Sequence, residues 1–121
     1  MKKYYIQKSP FTVPTEDGKV INEHFGLASI GDSKISIAHM IAPPGWSEPY
    51  QTPEFDEFTL VVIGKKQFII DGEIIILNAG ESIKILGGTR VQYSNPFIEP
   101  CVYVSICTPA FSLDKVNREE E

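Results

Sequence analysis

Cysteine is nearly missing from this chain of 121 residues, which has only Cys101 and Cys107. Both fall in a stretch that reads as one strand. Six residues of extended chain set them about 20 Å apart, beyond disulfide reach. Free thiols in a reducing cytoplasm are therefore expected, and a lone C-x5-C is poor zinc spacing. Long apolar runs are missing too, so no membrane-spanning helix is expected. The start, Met1-Lys2-Lys3-Tyr4-Tyr5-Ile6-Gln7-Lys8, has basic residues but no apolar run behind them, so no secretory signal is expected. Basic charge is in deficit. Eleven Lys and Arg face sixteen Asp and Glu, a net charge of −5, and Glu119, Glu120 and Glu121 supply three of the negatives. That balance leaves no footprint for nucleic acid or an anionic membrane. G-x-S-x-G, G-x4-G-K-[ST] and H-E-x-x-H do not occur. Gly87-Gly88 has no helix pattern after it and is no phosphate loop.

What is present is enough for one core. Hydrophobic residues make up 42% and charged residues 22%, ordinary for a globular domain. A chain of this length buries about two-thirds of its surface on folding. Residues 1–121 are expected to form a single domain. Strand signals run end to end, at 35–41, 58–63, 67–70, 73–77, 82–86, 90–94 and 101–107. Asp71-Gly72, between two apolar runs, predicts a tight hairpin, because both central residues of a type I′ turn need positive φ. Asn78-Ala79-Gly80, Gly87-Gly88, Asn95-Pro96, Pro100 and Pro109 supply the punctuation. No segment sustains a helical period. A short helical turn from Ser112, with Leu113 and Val116 packing, is the one helix expected. Many short strands separated by Gly and Pro turns predict an all-β sandwich or barrel.

Two stretches carry a more specific pattern. Gly45 is followed by five residues, Gln51-Thr52-Pro53, three residues, Glu57, six residues and Gly64. Gly80 is followed by five residues, Leu86-Gly87-Gly88, two residues, Val91, three residues and Asn95. These spacings resemble the two cupin motifs, G-x5-H-x-H-x3-E-x6-G and G-x5-P-x-G-x2-H-x3-N. The resemblance covers motif 1 at 45–64 and motif 2 at 80–95, and neighbouring strands extend it over most of the chain. It implies a jelly-roll β-barrel of the double-stranded β-helix type. In metal-binding cupins, two histidines and a glutamate of the first motif and a histidine of the second converge on one ion. Here the four positions read Gln51, Pro53, Glu57 and Val91. Proline and valine side chains cannot ligate, and an amide is a weak donor, so no metal or other cofactor is expected. An atypically ligated divalent metal is the alternative.

Glu57 is the least ordinary residue. Thr59, Val61 and Ile63 share its face by period two, and the resemblance turns that face inward. An acid among apolar neighbours must be paired, hydrogen-bonded or protonated. Either backbone and hydroxyl groups hold it for structure, or it is a ligand anchor or general acid/base. His39 shares a face with Ile35, Ile37 and Ile41. Were that face the interior, His39 would meet Glu57 and form an acid/base pair; otherwise it is a satisfied core residue. His24 reads as a surface or interface residue. Tyr93 matches Val91 and Asn95 in parity and should point inward, with its hydroxyl available or simply filling space. The pocket expected is Gln51, Glu57, Tyr93 and His39.

Three functions stay open. The first is a metal-independent barrel that binds a small molecule. The second is a cytoplasmic isomerase, cyclase or dehydratase using Glu57 with His39. The third is a homodimeric interaction module with an inert barrel, and Tyr4-Tyr5-Ile6 would suit strand exchange at a sheet edge.

Overall fold

In the computed structural model, which describes residues 3–120, the chain forms two antiparallel sheets that share one core. Met1 and Lys2, which open the basic N-terminal stretch, and Glu121, which ends the acidic tail, lie outside the described residues. The strands are β1 (Phe11–Val13), β2 (Val20–Phe25), β3 (Ser36–Ala42), β4 (Trp46–Ser47), β5 (Asp56–Ile63), β6 (Lys65–Ile70), β7 (Glu73–Asn78), β8 (Ser82–Ile85), β9 (Val91–Asn95) and β10 (Cys101–Thr108). A single helical turn, α1 (Leu27–Ile30), follows β2, and a 3-10 turn at Leu113–Lys115 follows β10. One sheet runs β1-β2-β3-β10-β5-β8 and the other β4-β9-β6-β7. None of the described helices is long and apolar enough to cross a membrane.

The strands form where β-branched and aromatic residues alternate with polar ones. β10 shows this most cleanly: Cys101, Tyr103, Ser105 and Cys107 are buried, and the residues between them are half-buried. The inner faces meet in a core of Ala42, Val61, Ile85, Cys101 and Tyr103 from the larger sheet. Trp46, Phe68, Leu77, Val91 and Tyr93 come from the smaller. The β6–β7 hairpin turns on Asp71 (φ 50°) and Gly72 (φ 75°), the two positive φ angles expected of Asp-Gly. Between β5 and β6 the chain leaves one sheet for the other in a single residue, Gly64, at φ 80°. A Cβ there would stand 2.4 Å from the Pro100 carbonyl oxygen, so only glycine fits this crossing.

Several expectations need correcting. β6 begins at Lys65 rather than at Gln67, which puts Lys66 in the strand. Ile63 leaves the face of Glu57 because the β5–β10 register shifts by one residue at Val62, and Ile63 is exposed. Leu113 does not pack, at 81% exposed, whereas Val116 does, against Phe55 and Cys107. β1, β2, β4 and α1 carried no signal that singled them out. Tyr4, Tyr5 and Ile6 are exposed and belong to no strand.

Candidate functional site

Glu57 lies on the inner face of β5, opposite Cys107 of β10 and Ile85 of β8. The Tyr93 hydroxyl of β9 donates to its Oε1 at 2.5 Å, and the Ser105 hydroxyl donates to Oε2 at 2.8 Å. The Cys107 thiol lies 3.9 Å from the same Oε2. Glu57 is half-buried, while Tyr93, Ser105 and Cys107 are buried. Burial pushes the Tyr93 hydroxyl well above its usual 10, and the Glu57 charge and hydrogen bond add to this. Tyr93 therefore stays protonated and serves as a donor to the carboxylate. Burial, reinforced by Glu57, likewise pushes the Cys107 thiol up to about 12, which makes it an inert thiol at neutral pH.

On the far side of Tyr93 sits a lysine that the sequence did not single out. Lys66 of β6 is 3% exposed. Its amine lies 3.5 Å from the Tyr103 ring centroid, 4.8 Å from that of Tyr93 and 5.2 Å from that of Phe68. It takes part in none of the described ion pairs. Burial holds it down to about 7 from an ordinary 10.5, with the Glu57 charge opposing. Tyr93 thus carries Glu57 on its hydroxyl and Lys66 over its ring. Two buried hydroxyls, Thr59 Oγ1 on β5 and Tyr103 OH on β10, have no hydrogen-bond partner among the described residues.

A second buried carboxylate, Glu48, binds Lys19 at 2.6 Å and Arg118 at 2.7 Å. Gln51 belongs to this group: its amide donates to Glu48 at 3.3 Å, not to Glu57. Lys19 also lies over the Trp46 ring, whose indole N–H donates to Asp17 at 2.7 Å. The loop before β2, the segment after β4 and the C-terminal tail are thereby joined. Asn95 is structural. Fully buried, it donates to the carbonyls of Ala42, Pro43 and Glu99 and accepts from the Phe97 N–H.

His39 is the main correction to the expected pocket. On β3 the inward residues are Ser36, Ala38, Met40 and Ala42, so His39 stands on the outer face with Ile37 and Ile41. It flanks Val104 and Asn22 on the neighbouring strands and never meets Glu57. Of the inward residues, Met40 and Ala42 pack into the main core, and the Ser36 hydroxyl accepts from the Phe111 N–H. His24 is half-buried on β2, and its carbonyl accepts from Gln7.

The donor set at the four motif positions does not fit the family's metal. Gln51 is committed to Glu48, Pro53 and Val91 offer no lone pair, and Glu57 is the one carboxylate. Among the described residues, no three His, Cys, Asp or Glu side chains form a metal-binding group. The signals missed in the sequence are Lys66, Tyr103 and Glu48. Lys66 sits between Lys65 and Gln67, where period two from Phe68 would have turned it inward.

The model of the cupin domain matches residues 38–107. A Myxococcus xanthus protein named Endoribonuclease YbeY is 41% identical over 107 residues, covering 88% of this chain and 36% of that one. The chain thus spans about a third of the length of the curated relative it matches. Among solved structures, Streptomyces PAC13 with uridine superposes with a TM-score of 0.75 at 16% identity, covering 99% and 92% of the two chains. An RmlC-like cupin from Shewanella frigidimarina gives 0.72 at 14%, covering 91% and 93%. A cupin-superfamily sugar phosphate isomerase from Silicibacter pomeroyi gives 0.64 at 20%, covering 76% and 60%. At these identities the structures speak for the fold. The family match spans more than half of the residues and runs from β3 through both motifs to β10, and on that ground the chain belongs to the cupin family.

Proposed function

We propose that this cupin domain binds a small polar molecule inside the barrel without a metal, at the cluster of Glu57, Tyr93 and Ser105. The observation that carries this reading is the pair of buried hydroxyls, Thr59 Oγ1 and Tyr103 OH, that have no partner among the described residues. Each such group costs about 1–3 kcal/mol in the folded state. A barrel kept only for packing would carry valine and phenylalanine there at no such cost. A ligand bearing hydroxyl, carbonyl or carboxylate oxygens would satisfy both, and Glu57, which still reaches solvent, would orient it. The same pair offers acid/base chemistry, with the Tyr93 hydroxyl as proton donor and Glu57 as acceptor. The cytoplasm is the compartment we propose, from the two free, buried thiols. The ribonuclease activity in the Myxococcus protein's name is not carried over, since a net charge of −5 favours no nucleic acid.

A thermal-shift screen of small polar metabolites tests the reading. A ligand that raises Tm for the wild type, and less for Glu57→Gln and Thr59→Val, is the expected result. No hit across the library, or hits indifferent to both substitutions, would overturn it.

A second reading, homodimerisation, draws on the outer face of the larger sheet. Phe58, Leu60 and Val62 are exposed there, and a shallow depression is lined by Phe58, Leu60, Lys84, Val104 and Ile106. Such a face is apolar enough to be covered by a second copy.

A further inference from the structure

Lys66 is an unusual thing to find inside a small barrel. Its neighbours are three aromatic rings, those of Tyr103, Tyr93 and Phe68, and no carboxylate stands within ion-pair distance among the described residues. Glu57 and Glu48 act on it from a distance as attractive charges and Lys19 as a repulsive one, but burial outweighs them. A structural lysine would be expected to reach a carboxylate or to extend its head to water. This one does neither. The Tyr103 ring beside it carries a hydroxyl that has no partner among the described residues, and the Tyr93 hydroxyl donates to the half-buried Glu57.

We propose that the Lys66 amine forms an imine with a small aldehyde or ketone bound in the barrel. The proposal rests on the barrel being a small-molecule site and names the ligand class of that site. The amine lone pair attacks the carbonyl carbon, the C=O pair moves to oxygen, and a proton passes from nitrogen to that oxygen, giving a carbinolamine. Nitrogen then loses a proton, the hydroxyl gains one, the C–O bond breaks and water leaves as the C=N bond forms. The sum is amine plus carbonyl giving imine plus one water, with no oxidant or reductant. The residues match these demands. Burial of the amine favours its neutral, nucleophilic form over the attraction of the ring faces for the cation. The Tyr103 hydroxyl is free to donate to the carbonyl oxygen. The Tyr93 ring lies 4.8 Å from the amine, and its hydroxyl donates to Glu57, so the pair can exchange a proton close to the reacting group. The ligand must be small, because Val61, Phe68, Tyr93 and Tyr103 fill most of the interior.

Reductive trapping tests this on the wild-type chain. Protein at pH 7 is treated with acetaldehyde and sodium cyanoborohydride, and ethylation of each lysine is followed over time by peptide mass spectrometry. Lys66 should be ethylated about tenfold or more faster than the exposed Lys34, Lys65 and Lys84. Lys66→Arg keeps the charge but cannot form the imine, so it should lose the fast site and leave the surface rates unchanged. Labelling of Lys66 no faster than the surface lysines overturns the proposal, whether or not the variant folds. If the metabolite screen yields a Glu57-dependent ligand while Lys66 labels slowly, the imine fails and the binding site stands. If the screen fails while Lys66 labels fast, the binding reading fails and the reactive amine stands.

Discussion

Thr59 and Tyr103 give the sharpest test at the scale of single residues. Each places a hydroxyl in the core with no hydrogen-bond partner among the described residues. Removing such a group while keeping its shape relieves a desolvation cost, so Thr59→Val and Tyr103→Phe should each stabilise the ligand-free protein by about 1–2 kcal/mol. Urea unfolding measures this directly; a loss of stability would mean that both hydroxyls are already satisfied. Lys66 makes a prediction in pH. Its folded value of about 7 lies below the ordinary 10.5. Between those values the unfolded chain binds a proton that the folded chain does not, so this group makes stability rise with pH. Below about 7 both states are protonated, and its penalty is present in full. From about 9 upward Cys107 acts in the opposite sense, since its folded form keeps a proton to about 12 that the unfolded form loses. The clean window is therefore about pH 7 to 8.5. There the urea midpoint should climb, and Lys66→Met should flatten the climb.

The strands depend on a few connections that tolerate no side chain. Gly64 and Gly72 both have φ near +80°, so an alanine at either is strained by about 1–2 kcal/mol. They differ in surroundings. A Cβ at Gly72 meets nothing within 4 Å, whereas one at Gly64 would strike the Pro100 carbonyl. Gly72→Ala should therefore cost about 1–2 kcal/mol. Gly64→Ala should cost more, because β5 and β10 must separate to admit the methyl group. Equal losses in parallel thermal melts would show that the crossing between the sheets is looser than it looks. Asn95 works at the same scale by fastening three carbonyls of two loops. Asn95→Ala should cost about 2–3 kcal/mol, since those acceptors lose their donor in a dry site.

For the molecule as a whole, the interior chemistry predicts its metal content. Gln51, Pro53 and Val91 leave Glu57 without co-ligands. Protein purified without a histidine tag should hold well under one equivalent of Mn, Fe, Ni, Cu or Zn by elemental analysis. A stoichiometric ion that survives dialysis against chelator would remove the metal-free reading. The outer sheet face makes the other prediction at this scale. Light scattering should report a dimer, and Leu60→Asp should shift it toward monomer without unfolding it, because a charge there is harmless in water and costly in an apolar contact. A wild-type monomer at high concentration would end the dimer reading.

Local chemistry explains what the sequence settled by itself. Period-two runs, the Asp71-Gly72 turn, and the spacing of Gly45, Glu57, Gly64, Gly80 and Asn95 depend only on near neighbours. They gave seven strands, the hairpin, the family and the inward side of Glu57 and Tyr93 correctly. Which face of β3 turns inward was not local. Its isoleucines outweigh Ser36 and Ala38 in hydrophobicity, yet Ser36, Ala38 and Ala42 are the residues this strand buries, a choice made by the sheets packed around it and not by its own pattern. That reversed the position of His39. Lys66 was hidden for the same reason. A charged residue beside Lys65 reads as surface, and only the closure of Tyr103, Tyr93 and Phe68 around it makes it the buried amine of the barrel. Strand propensity and turn geometry are written in adjacent residues, whereas the filling of a barrel is decided by side chains that meet only when both sheets have closed.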